Sequence, residues 1–208
     1  MQIFRSEGFD TTGKILPRAT AIAAQIAWLY IALTGVCAFF YLASGMRTFD
    51  AVLHSMTTIA TGGFSSYDIS FGRFGASTEY AGVLFMCLAA LPFVRYVQLI
   101  NGQPLSVFKD SQIRMFFIIL IILVTILTLI LWYDSSLSGE LGFRKALFNV
   151  VSIVTGTGYV STNYGTWGPA AIVVFFYAGL VGGCAGSTSC SVKVFRYQLL
   201  FSAIRMQL

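Results

Sequence analysis

Thr57-Thr58-Ile59-Ala60-Thr61-Gly62-Gly63-Phe64 and Ser152-Ile153-Val154-Thr155-Gly156-Thr157-Gly158-Tyr159 are two versions of one phrase, set about 95 residues apart. Each lies between long apolar stretches. Ahead of each turn runs a segment of about a dozen residues, Phe49 to Ala60 and Arg144 to Thr155. That is long enough for a short helix but too short for a bilayer, which asks for about 20 apolar residues. Such a segment enters the membrane and returns by the same face. Span, half-helix, Gly-containing turn and span, said twice, is an order that lines an axis through the membrane with backbone carbonyls.

Composition supports a membrane setting. Of 208 residues, 57% are hydrophobic and 10% charged, and the mean hydropathy is +0.79. A water-soluble domain of this length has no core large enough for that. The net charge of +5 does not point to nucleic acid, because the thirteen basic residues are scattered between apolar runs and form no tract. Four spans are expected: Ala19 to Ser44, Glu79 to Ile100, Ile113 to Tyr133, and Pro169 to about Leu208, the last interrupted by Gly and Ser. The expected fold is all-α, a polytopic membrane protein of repeated helix, re-entrant pore helix and loop, helix units. The divisions are a cytoplasmic segment 1–18, a first unit 19–112 with its pore loop at 49–66, and a second unit 113–208. The second unit has its pore loop at 144–162 and a last span broken at 182–191. With residues 1–18 inside, Arg47, Arg73, Arg144 and Lys145 fall outside, and the other nine basic residues lie on or toward the inner side.

The residue types at the repeated turns suit cation coordination. A dehydrated cation needs oxygens in place of its water shell, and carbonyls supply them where side chains leave the axis clear. Gly63 and Gly158 coincide when the phrases are superposed, and glycine takes the positive φ that turns a carbonyl inward. Thr61 and Thr155 add hydroxyl oxygens or brace the turns, and Phe64 and Tyr159 are expected to wedge behind the loops. The cation-filter residues expected are Thr61, Gly62, Gly63, Phe64, Thr155, Gly156, Thr157, Gly158 and Tyr159. The ion would be held by the carbonyls of Thr61, Gly62, Gly63, Thr157 and Gly158. A short helix ending before each turn aims its partly negative end at the cavity. Gly-Gly and Gly-x-Gly are ordinary turn signals too; repetition within two equivalent hairpins separates the two readings.

Between Gly179 and Ser191, Gly182, Gly183, Gly186 and several Ser and Thr residues break an apolar run, a composition that frays a helix or lets helices pack closely. Cys37, Cys87, Cys184 and Cys190 lack metal-ligand spacing, and His54 is the single histidine, so a zinc site is not expected. Asp50 and Asp68 read either as solvated loop acids or as acids that concentrate cations at a pore mouth. Arg95, inside an expected span, needs a partner. No paired acids, base-activated nucleophile or phosphate loop recurs, so an enzyme is not expected.

The stretches Thr57 to Asp68, Thr155 to Tyr159 with Tyr164-Gly165-Thr166-Trp167-Gly168-Pro169, and Gly182 to Ser189 with Val192-Lys193-Val194-Phe195-Arg196 resemble the Trk/Ktr/HKT superfamily of potassium transporters. The likeness is to the TrkH-type membrane subunit. In that family four pore units surround one ion path, and the resemblance places this chain's units second and third, with Gly63 and Gly158 as filter glycines. It implies that Gly182, Gly183, Cys184, Ala185, Gly186, Ser187, Thr188 and Ser189 form an intramembrane gate loop. Cys190 and Ser191 stand where the family usually has further glycines. The resemblance also implies potassium as substrate, no cofactor in this chain, and a bacterial inner membrane location among lipid. It implies a homodimer and a cytoplasmic nucleotide-binding regulatory subunit of the TrkA or KtrA kind. Because two loops supply half of a fourfold site, the chain is expected to be part of a transporter. The alternatives are a coupled secondary cation symporter and a non-conducting fragment or accessory subunit. Repeats that enter from one side and run in one direction favour a channel-like path.

Overall fold

The computed structural model describes residues 19–100, 102, 107, 109–133, 137 and 139–207; the expected cytoplasmic segment 1–18 lies outside them. The helices are α1 (Ala19–Ala43), α2 (Thr48–Ile59), α3 (Ala76–Ala89), α4 (Phe93–Ile100), α5 (Ser111–Tyr133), α6 (Gly139–Val154), α7 (Pro169–Leu180) and α8 (Val194–Gln207). The only β pairing among the described residues is a bridge between Val181 and Val192.

Length sorts these helices. α1 and α5 have 25 and 23 residues, and their apolar windows are long enough to cross a membrane. At 1.5 Å per residue they reach about 37 and 34 Å, beyond a hydrocarbon core of about 30 Å. Their outer faces carry Trp28, Ile31, Phe39, Ile121 and Leu129, all exposed. That display costs nothing when the solvent is lipid. α2 and α6 have 12 and 16 residues and are too short to span. α2 packs on α1, and α6 packs on α5 and on α3, so α6 touches both halves of the chain.

Two expected boundaries shift. α6 starts at Gly139, ahead of the expected Arg144, because Glu140 suits the first turn of a helix and Gly142 tucks against the preceding chain. A Cβ on Gly142 would stand 2.4 Å from the Leu137 carbonyl oxygen. The span expected over Glu79 to Ile100 is not continuous, since α3 and α4 meet at 88°. Pro92 is the cause: it brings no N–H to the Leu88 carbonyl, which accepts instead from the Tyr96 hydroxyl at 2.7 Å and the Leu91 N–H at 3.3 Å. The bend also frees the Ala89 and Ala90 carbonyls and the Phe93 N–H from helical pairing.

Aromatic packing joins the halves. Phe71, in the tight turn Ser70–Arg73, stacks on Tyr159 at 4.4 Å and on Phe148 of α6 at 5.0 Å between ring centroids. All three rings are buried, together with Tyr41 of α1 and Phe85 of α3. Gly82 of α3 makes room for them, as a Cβ there would lie 3.1 Å from the Phe148 ring and 3.2 Å from the Phe71 ring.

Candidate ion path

The two repeated turns share a backbone hydrogen-bond pattern. Ala60 N–H donates to Met56 O and Thr155 N–H to Val151 O; Thr61 N–H donates to Thr58 O and Gly156 N–H to Ile153 O. Gly63 N–H reaches Thr57 O at 3.4 Å, and Gly158 N–H reaches Ser152 O at 3.2 Å. Thr57 and Ser152, the first residues of the two phrases, then turn their hydroxyls onto the Phe64 and Tyr159 carbonyls at 3.0 and 2.7 Å. Matching positive φ values follow: 50° at Thr61 and 74° at Gly156, then 66° at Gly63 and 83° at Gly158. Three of these four residues are glycine. Thr61 is β-branched, and a residue held in that region costs of order 1–3 kcal/mol unless its surroundings fix it.

These turns leave a set of carbonyl oxygens unused. Among the described residues no hydrogen bond reaches the carbonyls of Thr61, Gly62, Gly63, Thr157 or Gly158. The loops also touch: a Cβ on Gly63 would stand 1.8 Å from the Thr157 carbonyl oxygen, whereas one on Gly158 would meet nothing within 4 Å. The threonine hydroxyls brace rather than line. Thr155 Oγ1 lies 2.8 Å from Val151 O and 2.8 Å from Thr157 Oγ1. Thr61 Oγ1 lies 2.7 Å from each of two carbonyls, Ala60 O and Thr188 O.

The two aromatic residues differ. Tyr159 is wedged behind the first loop, 1% exposed, with its hydroxyl donating to His54 O at 3.0 Å and within hydrogen-bond reach of the Thr57 and Thr58 hydroxyls. Phe64 is 74% exposed, which corrects the expectation that it too would wedge behind its loop. Tyr159 packs against the rings of His54 in α2 and Phe71, whereas Phe64 makes no ring contact among the described residues.

Behind each turn a buckle ties the pore helix to the chain that leaves the loop. Asp50 of α2 is nearly buried and accepts from Ser66 Oγ at 2.8 Å and Tyr67 Oη at 2.9 Å. It is neither a solvated loop acid nor a free cation attractor. Burial pushes its carboxyl up, but the Ser66 and Tyr67 hydroxyls, with the neighbouring His54 and Arg47, hold it below the ordinary range. At the equivalent place on α6, Lys145 donates to Ser161 O at 3.0 Å and pairs with Glu79 at 2.5 Å. Arg144 pairs with the same carboxylate at 2.6 Å and with Glu140 at 2.8 Å. Glu79 is fully buried, so the two cations satisfy a charge that would otherwise be very costly inside the protein.

His54 is packed inside the protein. Its ring is buried edge-on against Phe71 and Phe74, with Nδ1 2.7 Å from Asp50 O and Nε2 2.9 Å from Ser65 Oγ. A carbonyl can only accept, so Nδ1 carries the proton and Ser65 donates to Nε2. Arg95 finds its partners in Asp110 at 2.7 Å and Gln98 at 2.8 Å. Among the described residues no group of His, Cys, Asp and Glu could hold a metal ion.

The stretch from Val181 to Lys193 is non-helical, and its polar groups pair with both halves of the chain. Cys184 N–H donates to Ala90 O at 3.0 Å and Phe93 N–H donates to Gly186 O at 3.0 Å, so the loop takes up groups the Pro92 bend releases. Gln112 Oε1 accepts from Ala185 N–H at 3.0 Å. Thr188 Oγ1 lies 2.9 Å from Ile59 O at the end of α2 and 3.1 Å from Ala89 O. Cys190 N–H donates to Thr155 O at 3.4 Å, just past the end of α6. The loop therefore bonds at the carboxyl ends of both pore helices. It is also tightly packed, since a Cβ on Gly182 would stand 2.1 Å from Cys190 O.

Sequence reasoning passed over several residues of this region. Glu79, a lone acid opening an apolar span, carried the signal of an intramembrane charge that needs a partner. Pro92 carried a break signal. Gln112 gave none.

Spans that need lipid, two re-entrant helices and two glycine turns with unused carbonyls define an all-α polytopic membrane protein. The TrkH cation transport protein family matches residues 5–208, and this chain belongs to that family. It is similar to the Trk system potassium uptake protein TrkI of Halomonas elongata, at 40% identity over all of this chain and 42% of the relative. It is similar to TrkH of Escherichia coli K12 at 35% identity over 97% of this chain and 43% of that protein. The crystal structure of the potassium transporter TrkH from Vibrio parahaemolyticus superposes with a TM-score of 0.86 at 33% identity, covering 95% of this chain and 44% of that one. The chain thus spans less than half the length of these relatives, which are named as transport proteins and not as enzymes.

Proposed function

We propose that this chain forms part of a potassium-conducting path across the bacterial inner membrane, by permeation without covalent chemistry. Its support is the set of carbonyls on Thr61, Gly62, Gly63, Thr157 and Gly158 that no donor among the described residues reaches, held in two turns of matching geometry. Oxygens kept unsatisfied inside a membrane protein are costly unless a cation visits them. The carboxyl ends of α2 and α6 add partial negative charge there. Residues 61–64 and 155–159 act as filter, and residues 182–189 as a gate loop below it. The two units, 19–112 and 113–208, supply two of the coordinating loops of a complete path. The named activity of the potassium-transporting relatives supports potassium as the ion. In the same reading the chain itself holds no cofactor, and regulation comes from a homodimeric assembly with a separate cytoplasmic nucleotide-binding subunit.

The test is rubidium-86 uptake into proteoliposomes, with competing potassium or sodium, beside Gly158→Val. Uptake blocked by potassium more than by sodium, and lost in the variant, supports a selective path through these turns. Uptake that sodium blocks equally, or that survives in Gly158→Val, overturns the filter assignment.

A further inference from the structure

Thr61 is the one non-glycine among the four left-handed residues of the two turns, and the residue equivalent to it in the second turn is Gly156. Something outside the first turn has to hold it there. Its hydroxyl has one proton and two carbonyls in reach, Ala60 O and Thr188 O, each at 2.7 Å. The first belongs to its own turn and the second to the loop 182–189. Thr188 in turn sets its own hydroxyl between Ile59 O at 2.9 Å and Ala89 O at 3.1 Å, and its N–H points at Ala89 O at 3.4 Å. Two threonines therefore clasp each other's segments. Thr61 holds the loop by its backbone, and Thr188 holds the end of α2 and the end of α3 by its side chain.

The second turn meets the same loop by contact instead. A Cβ on Gly156 would stand 2.7 Å from Cys190 Cβ, and the link there is the backbone bond from Cys190 N–H to Thr155 O. Loss of the loop would remove a neighbour from Gly156 without changing what that glycine can adopt. At Thr61 it would remove the external acceptor that holds a strained backbone, and the hydroxyl would fall back on Ala60 O.

Resting on the proposed filter and gate loop, we propose that Thr61 and Thr188 form a latch that makes the first filter turn, and not the second, depend on the position of the gate loop. Thr61 is a positioning residue: with the loop seated its carbonyl and those of Gly62 and Gly63 keep their aim, and with the loop withdrawn the backbone relaxes and the aim is lost. Selectivity carried by the first turn is then gated with the loop, while that carried by the second turn persists.

Amide hydrogen exchange by mass spectrometry on the chain in lipid nanodiscs tests this, with segments 57–64 and 152–159 read separately. Thr188→Val keeps the shape and removes the hydroxyl; exchange over 57–64 should rise about tenfold and over 152–159 by less than about twofold. Thr61→Gly holds the left-handed backbone without help, so adding it to Thr188→Val should return 57–64 to within about threefold of wild type. Thr61→Ser should behave as wild type. Equal rises in both segments, or a rise over 57–64 that Thr61→Gly does not suppress, overturn the latch. The same samples in potassium and in sodium chloride separate the latch from the filter reading. Protection of both segments by potassium with no response to Thr188→Val defeats the latch alone. The Thr188→Val response without potassium protection upholds the latch and defeats the potassium filter.

Discussion

The turns at 57–64 and 152–159 share most of their backbone bonds, the first adding one from Gly62 N–H to Thr57 O at 2.8 Å, and stand in different surroundings. Gly63 lies against the Thr157 carbonyl and Gly158 faces open space; Tyr159 is buried behind the other unit and Phe64 is bare. The first buckle centres on an acid, Asp50, and the second on a base, Lys145, yet each ties its pore helix to Ser66 or Ser161. Backbone geometry is what the repetition preserves, and side chains answer to the neighbour each turn has. A carbonyl-lined path needs that outcome, because the ion sees the backbone and not the side chains.

The same substitution at both glycines should separate the two turns most. Gly63→Ala places a methyl inside the Thr157 carbonyl, and with no room to shift it should cost above about 4 kcal/mol and separate the loops. Gly158→Ala meets only its φ of 83°, at about 1–2 kcal/mol. The temperature at which each variant loses its monodisperse elution from detergent should fall much further for Gly63→Ala; equal falls would remove the asymmetry. Glu79→Gln comes next. It leaves Arg144 and Lys145 without their buried counter-charge and should cost about 3 kcal/mol by the same assay. The aromatic pair gives the finest contrast. Tyr159→Phe strips a hydroxyl from Thr57, Thr58 and His54 O, at about 1–2 kcal/mol, whereas Phe64→Leu should stay within about 0.5 kcal/mol. A larger loss for Phe64→Leu would mean that a neighbour covers Phe64.

What the sequence made legible was what local chemistry decides. Apolar length marked α1 and α5, segment length marked α2 and α6 as re-entrant, and glycine spacing marked the turns. What stayed hidden depends on partners distant in the chain. Nothing local to Phe64 or Tyr159 says which ring finds a neighbour, and Asp50 reads as a loop acid until Ser66 and Tyr67 fold over it. Thr61 reads either as an oxygen for the ion or as a brace for its turn, and nothing local says that its hydroxyl donates to a carbonyl 127 residues on. The bend at Pro92 was readable in principle, yet the apolar run across it outweighed the proline.

In the proposed path the unused carbonyls of both turns hold the ion. Anomalous scattering from crystals of the protein grown in rubidium chloride tests it most directly. Rubidium peaks are expected in contact with the carbonyl oxygens of Thr61, Gly62, Gly63, Thr157 and Gly158, displaced by potassium and not by sodium. Rubidium bound elsewhere in the protein with these carbonyls bare would contradict it.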